Sequence, residues 1–161
     1  MLHTFAVLGG DARQHYLAAL LTASGFTVHT FAVPELPDTA ASLEETVSQI
    51  DAVCLPTPAV TSGAITGLPD LTPAHLLSLL PERAVVFGGG LGAFKTLLQR
   101  TDTFYYDVLQ NSALAIENAS LTAEGALLLA LQAMPIAIRD SAVLVTGFGR
   151  IGKSLSAKLH A

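Results

Sequence analysis

The chain has 161 residues, 51% hydrophobic, 13% charged and 6% aromatic, with a formal net charge of −5 at pH 7. That length suits one domain plus a further piece, and so apolar a composition suits an α/β domain whose parallel strands are buried on both faces. The acidic balance with no basic cluster argues against nucleic acid and anionic membrane as partners, and the lone Cys54 argues against a disulfide framework or a zinc site and for a reducing cytoplasm.

Strands and helices alternate along the chain. Residues 5–8 read as a first strand, and residues 11–24 as a helix ended by Gly25, a residue suited to the left-handed position after a helix. A second strand spans 27–32, a Pro-rich loop follows, and a short helix around 43–49 leads into a third strand at 51–55. Residues 56–72 form a long loop. Pro73 opens a helix to residue 80 from its first position, and a fourth strand spans 84–87. The run Gly88-Gly89-Gly90-Leu91-Gly92 turns into a helix ending at Gln99, and a short fifth strand spans 103–106. Helices are expected at 108–116 and 122–134. Five βα repeats imply an open parallel five-stranded sheet with helices on both faces. The N-terminus lacks the basic stretch of a signal peptide, and no apolar run reaches the roughly 20 residues that span a bilayer.

The turns after strands one, three and four are Gly9-Gly10-Asp11, Pro56-Thr57-Pro58 and Gly88-Gly89-Gly90. In a parallel sheet these loops share the carboxyl edge, where ligands bind. A βα turn needs glycine for its own sake, but three such turns on one edge point to a site. Gly10, Asp11, Arg13, Pro56, Thr57, Gly89 and Gly90 are therefore expected to line the main concave surface. Arg13 is spaced by four and seven from Leu17 and Leu20, which places it on the sheet-facing stripe of the first helix. A cation in a first turn opposes the helix dipole, so it is held there by a bound anion or by a carboxylate such as Asp11.

The segment 122–134 is apolar nearly all round, as in a helix buried on every side, and is expected to lie between two domains. Asn118, Thr122 and Glu124 cluster at its start. Thr122 suits an N-cap and Glu124 a first-turn acid, roles compatible with contact to a substrate. Residues 142–146 then read as an apolar strand, followed by Gly147-Phe148-Gly149-Arg150-Ile151-Gly152 and a helical segment. This strand, Gly-x-Gly-x-x-Gly turn and helix is the opening of a dinucleotide-binding unit. Gly147 permits the tight turn, Gly149 the approach of a pyrophosphate and Gly152 the packing of helix on strand. The residue that distinguishes NAD from NADP lies about 20 positions further on, beyond residue 161. The domains are accordingly expected at 1–117, with an interdomain helix and linker at 118–140 and the start of a second, Rossmann-type domain at 141–161.

Three motifs together, Gly9-Gly10-Asp11-Ala12-Arg13-Gln14, the run from Asn118 to Ala126, and Val145-Thr146-Gly147-Phe148-Gly149-Arg150-Ile151-Gly152, resemble the A-subunit family of dipicolinate synthase. The resemblance implies a flavodoxin-like N-terminal domain and an NADP-binding Rossmann domain. It also implies oxidation of a dihydrodipicolinate-type precursor to dipicolinate in the mother-cell cytoplasm of sporulating bacteria, with the enzyme's B-type polypeptide as partner and homo-oligomers as the assembly. A small dicarboxylate would then meet Gly10, Asp11, Arg13, Pro56, Thr57, Gly89, Gly90, Asn118, Thr122 and Glu124, with Glu124 or a bound water the candidate proton acceptor. NADP or NAD would meet Gly147, Gly149, Arg150, Ile151 and Gly152. The family is nearly twice as long as this chain, and its Asn-x-x-Pro-Thr pattern is Asn118-Ala119-Ser120-Leu121-Thr122 here, with leucine for proline. Residues 1–161 alone are expected neither to hold the cofactor tightly nor to be active.

Two other classes compete. A dehydrogenase of a 2-hydroxy acid or an amino acid shares the two-domain plan, and its marker, a His–acid pair in the second domain, would lie outside these residues. A non-enzymatic receiver or flavodoxin-like module fits less well. The third strand ends Cys54-Leu55-Pro56 without the acid a receiver needs, and the first loop lacks the hydroxyls of a flavin phosphate loop.

Overall fold

A computed structural model describes residues 1–160. It divides into two compact units, Met1–Val108 and Leu109–Ala161.

The first unit is built on β1 (Thr4–Leu8), β2 (Thr27–Phe31), β3 (Ala52–Cys54), β6 (Val85–Gly88) and β7 (Tyr105–Asp107). All four pairings are parallel, in the order β2-β1-β3-β6-β7. The chain starts in the middle of the sheet, runs to one edge, returns and proceeds to the other, the doubly wound order of flavodoxin-like folds. Alternate strand residues serve opposite faces. Phe5, Val7, Ala52 and Cys54 face α1 (Ala12–Ala23), through Ala18, Leu17 and Leu21. Ala6, Leu8, Val53 and Val86 face Val47 of α2 (Leu43–Val47), Leu76 of α3 (Pro73–Leu79), and Phe94 and Leu98 of α4 (Ala93–Arg100). Helices thus cover both faces, as expected.

Local chemistry sets the helix ends. Asp11, Ser42 and Thr72 each cap a helix by accepting a backbone N–H, which satisfies donors that a first turn leaves open. Pro73 stands at the first position of α3. Gly25, with φ of +87°, takes the chain out of α1, its N–H donating to Thr22 O.

Two expectations in the first unit are corrected. The loop 56–72 contains a two-stranded antiparallel hairpin, β4 (Val60–Thr61) and β5 (Ala64–Ile65), turning at Ser62 and Gly63, both at positive φ. Two-residue strands are too short to show an alternation. The inward stripe of α1 is Gln14, Leu17, Ala18 and Leu21, not Arg13, Leu17 and Leu20. Gln14 is 6% exposed and Leu20 65%. Arg13 is one residue off the stripe and stands in solvent.

Three further corrections fall in the second unit. The helices expected at 108–116 and 122–134 are, after a 3-10 turn at Val108–Gln110, a single helix, α5 (Ser112–Ala133), capped by Asn111. With leucine at 121 nothing interrupts it, so Thr122 is mid-helix and its Oγ1 donates back to Asn118 O at 2.7 Å. It is no N-cap, and Glu124 is no first-turn acid. Nor is α5 buried on every side. Only Ala119 and Ala123 are buried, while Leu121, Leu128 and Leu129 are exposed. At 22 residues, with a mean hydropathy of 1.3, it is long and apolar enough to cross a bilayer by length and composition. Residues 142–146 form no strand. A strand exists through its ladder, and these residues pair with no other among those described. The helix expected after the glycine turn is α6 (Arg150–His160).

Candidate functional site

In the first unit the expected loops do converge at the carboxyl edge. The Gly9–Gly10 turn bends at φ of +54° and +83°. Its amides are already used: Gly9 N–H donates to Phe31 O and Gly10 N–H to Thr66 O, both at 3.0 Å. The hairpin segment lies so close that a Cβ on Gly67 would strike Gly10 N. These glycines therefore serve close backbone packing, not an open cradle for an anion.

The second and third loops are stitched together. Gly89 N–H donates to Pro56 O at 3.3 Å, and Ala59 N–H to Gly89 O at 2.7 Å. A Cβ on Gly89 would overlap the Thr57 side chain. The next amides, of Gly90 and Leu91, donate to the Asp107 carboxylate at 3.1 and 3.4 Å. Asp107 comes from the end of β7, and it supplies in the chain itself the negative charge such a turn attracts. Nothing in its sequence neighbourhood, Tyr106-Asp107-Val108, marks that role.

Arg13 closes the first loop onto the second. Its Nε donates to Asp11 Oδ1 at 2.9 Å, and its Nη2 donates to Asp11 Oδ2 and to Thr57 O, both at 2.8 Å. Of the two partners left open by the sequence, the structure supplies the carboxylate. The guanidinium is 66% and the Asp11 carboxylate 56% exposed. Asp11 also accepts from Arg13 N–H at 3.0 Å as the cap of α1. The Arg13 hydrogen bonds, side-chain first and then backbone, hold the Asp11 carboxyl down at about 2. Asp11 in turn raises the Arg13 guanidinium above its ordinary range.

Gln14 is the residue the sequence reading missed. It is buried between the strand ends, its Nε2 donating to Cys54 O at 3.1 Å and lying 3.5 Å from Leu8 O. It joins the carboxyl ends of β1 and β3 beneath the loops. A polar residue four before Ala18 on the buried stripe is the signal for it. Burial pushes the neighbouring Cys54 thiol up to about 12, which leaves it without thiolate reactivity at neutral pH. Asp11, Arg13, Gln14, Pro56 and Thr57 enclose a cavity of about 50 Å³, room for one small group. The edge is therefore a tightly laced corner and not the main concave surface expected.

A much larger concave surface lies within the second unit. It has a volume of about 790 Å³ and is lined by Asn118, Ala119, residues 143–147, Gly149, Arg150, Ile151, Gly152 and Leu155. Every residue expected to meet a dinucleotide lines it, as does Asn118. Gly152 is required here, since a Cβ would collide with Gly147 O. Cβ atoms on Gly147 or Gly149 would meet nothing within 4 Å, so that side of the turn is open. One glycine of the turn thus serves helix packing and two face free space. Thr122 is held by its own helix. Glu124 accepts from Lys158 Nζ at 2.8 Å, across from α5 to α6. Lys153 Nζ stands 5.7 Å above the Phe148 ring. Among the described residues no group of three His, Cys, Asp or Glu side chains could hold a metal.

Comparison with known proteins adds three findings. Residues 4–108 match the family model of the N-terminal domain of the dipicolinate synthase A subunit. No curated protein sequence matches the chain. Two solved structures are similar over nearly its whole length. The A subunit of dipicolinate synthase from Bacillus halodurans has 24% identity and a TM-score of 0.80, over 98% of this chain and 58% of that one. The A chain of dipicolinate synthase from Bacillus subtilis has 25% identity and a TM-score of 0.77, over 99% of this chain and 58% of that one. This chain thus spans well under two thirds of either solved chain.

Proposed function

With residues 4–108 matched, the chain belongs to the N-terminal domain family of the dipicolinate synthase A subunit, and on that premise we propose that it is the substrate-side part of an oxidoreductase that takes a dihydrodipicolinate-type precursor to dipicolinate. NADP, when bound, supplies the hydride acceptor. The substrate is a small ring bearing two carboxylates, so its site needs a cation with directed donors. The observation that carries the reading is Arg13, fixed at the sheet's carboxyl edge beside a small polar cavity, within the matched residues. A guanidinium is the side chain that best grips a carboxylate in a defined orientation.

The other roles follow from the second unit. Gly147, Gly149, Arg150, Ile151 and Gly152 form the turn on which a dinucleotide would sit, its phosphates at the start of α6. Oxidation removes a hydride and a proton, and Glu124 is the proton acceptor in this reading. Its carboxylate is shared with Lys158, so that pairing must open or exchange for the proton to transfer. Asn118 lines the same concave surface as the glycine turn and offers an amide to whatever occupies it. The exposed leucines of α5, with Leu144 and Phe148, favour a homo-oligomer whose contacts come from residues 121–159, since large exposed apolar patches seek burial. The enzyme's B-type polypeptide as partner, a cytoplasmic setting and use in sporulation come with the family's name and belong to the same proposal.

Calorimetric titration of the chain with pyridine-2,6-dicarboxylate tests the reading. Saturable binding to the wild type, weakened at least tenfold in Arg13→Ala, is expected; the loss of a charge-assisted contact costs about 1.5–3 kcal/mol. Equal binding by both proteins, or none by either, would overturn it. The same titration with NADP should give no saturable heat at micromolar concentration, because residues 142–146 form no strand and a dinucleotide sits in the crevice of a formed sheet.

A further inference from the structure

The Arg13 guanidinium is not simply on offer. A carboxylate gripped bidentately needs two parallel N–H groups on one edge of the guanidinium. The Nε–Nη2 edge is taken by Asp11, through Oδ1 at 2.9 Å and Oδ2 at 2.8 Å. On the other edge Nη2 gives its remaining hydrogen to Thr57 O. Only Nη1 has no partner among the described residues. A ligand carboxylate that is to be held by both its oxygens must displace one of these acceptors.

The two differ in what they lose. Thr57 O belongs to the loop stitched to Gly89, and giving up Nη2 would strip that corner of its link to α1. Asp11 keeps a partner when it lets go, because its Oδ1 also accepts the Arg13 N–H that caps α1. It is more than half exposed, so water takes up the other oxygen, and an ion pair so exposed contributes little to begin with. The exchange is therefore cheap at Asp11.

We infer that Asp11 is an internal competitor of the substrate: it occupies the bidentate edge of Arg13 and is exchanged for a ligand carboxylate on binding. This rests on the proposed role of Arg13 as the carboxylate anchor, and it makes Asp11 the residue that sets the affinity of that anchor. The cost of the exchange is the same for every ligand held through the bidentate edge. The Asp11 charge also stays close by after the exchange and repels the ligand, a dianion more than a monoanion. A carboxylate is held at Arg13 only when its other contacts exceed both costs.

The full chain, the Asp11→Asn variant and the Arg13→Ala variant are titrated with pyridine-2,6-dicarboxylate and with pyridine-2-carboxylate. Asparagine is as good an N-cap as aspartate, so α1 is kept, and helical circular dichroism checks that it is. The inference expects Asp11→Asn to bind the dicarboxylate about tenfold more tightly, the effect of removing one charge a few ångströms away near a surface. It expects the monocarboxylate, which meets Asp11 with one charge fewer, to gain as well but by no more than the dicarboxylate. Unchanged or weaker binding in a folded Asp11→Asn, with binding lost in Arg13→Ala, would overturn the exchange and leave the anchor standing. Unchanged binding in Arg13→Ala, or no binding by any of the three, would overturn the anchor itself.

Discussion

Gly89 faces Thr57 across the carboxyl edge of the sheet with no room for another atom: a Cβ at position 89 would lie 2.6 Å from Thr57 Cγ2 and 2.9 Å from Thr57 Cβ. The contact joins the loop after β3 to the loop after β6 and holds in place the carbonyl that Arg13 reaches. Gly89→Ala is therefore expected to destabilise by about 1–3 kcal/mol, the cost of overpacking. Thr57→Ala removes part of the obstruction, so the double variant should recover part of the loss in a urea-denaturation cycle. Strict additivity of the two changes would mean that the residues do not constrain one another.

At the opposite end of the sheet Asp51 ties down the start of β1. Its Oδ2 accepts from His3 N–H at 2.6 Å and Thr4 N–H at 2.8 Å. The Thr4 bond first, then that of His3, holds the carboxyl below its ordinary value. A depressed folded-state pKa contributes stability that is complete above the ordinary carboxylate range and is lost as pH falls through the folded value. The Tm difference between wild type and Asp51→Ala is expected to be largest near neutral pH and to shrink below about pH 4. A gap that stays constant down to pH 2 would remove the carboxylate from the account.

Gln14 makes a different demand. Replacing it with leucine keeps the volume but removes the donor to Cys54 O. An orphaned buried acceptor costs about 1–3 kcal/mol, and that is the loss expected for Gln14→Leu in urea denaturation. Gln14→Glu should be worse at neutral pH, where a carboxylate can only accept, and should improve on acidification as the protonated acid regains a donor. A leucine variant as stable as the wild type would show that the bond is dispensable.

Much of this was legible in the chain, and the misreadings have physical causes. The alternation of residues 5–8, 27–32, 51–55 and 84–87 with helical segments marked the parallel sheet, because strands buried on both faces are short apolar runs bounded by turns. Gly25 and Pro73 marked helix ends by backbone geometry alone. The length of α5 was misread because Asn118, Thr122 and Glu124 look like a capping cluster, whereas with leucine at 121 the hydroxyl of Thr122 turns back onto its own helix. Arg13 was set one position off the buried stripe because Leu17 fits either phase and only contact with the sheet decides for Gln14. The tie between Asp107 and the Gly90 amide joins residues 17 apart, and no local pattern announces such a pair. The glycines after β1 invited the reading of an open ligand site, yet a glycine that admits a ligand and one that admits a neighbouring hairpin look the same in sequence.

The most direct test of the central claim, that the sheet's carboxyl edge holds a dicarboxylate through Arg13, is a map of backbone amide shifts during titration with pyridine-2,6-dicarboxylate. The account predicts that the largest changes fall on Gly10, Asp11, Arg13, Gln14, Thr57 and Gly89, and that they vanish in Arg13→Ala. Changes confined to α5, α6 and the turn at Gly147–Gly152, or their persistence without the Arg13 guanidinium, would contradict it.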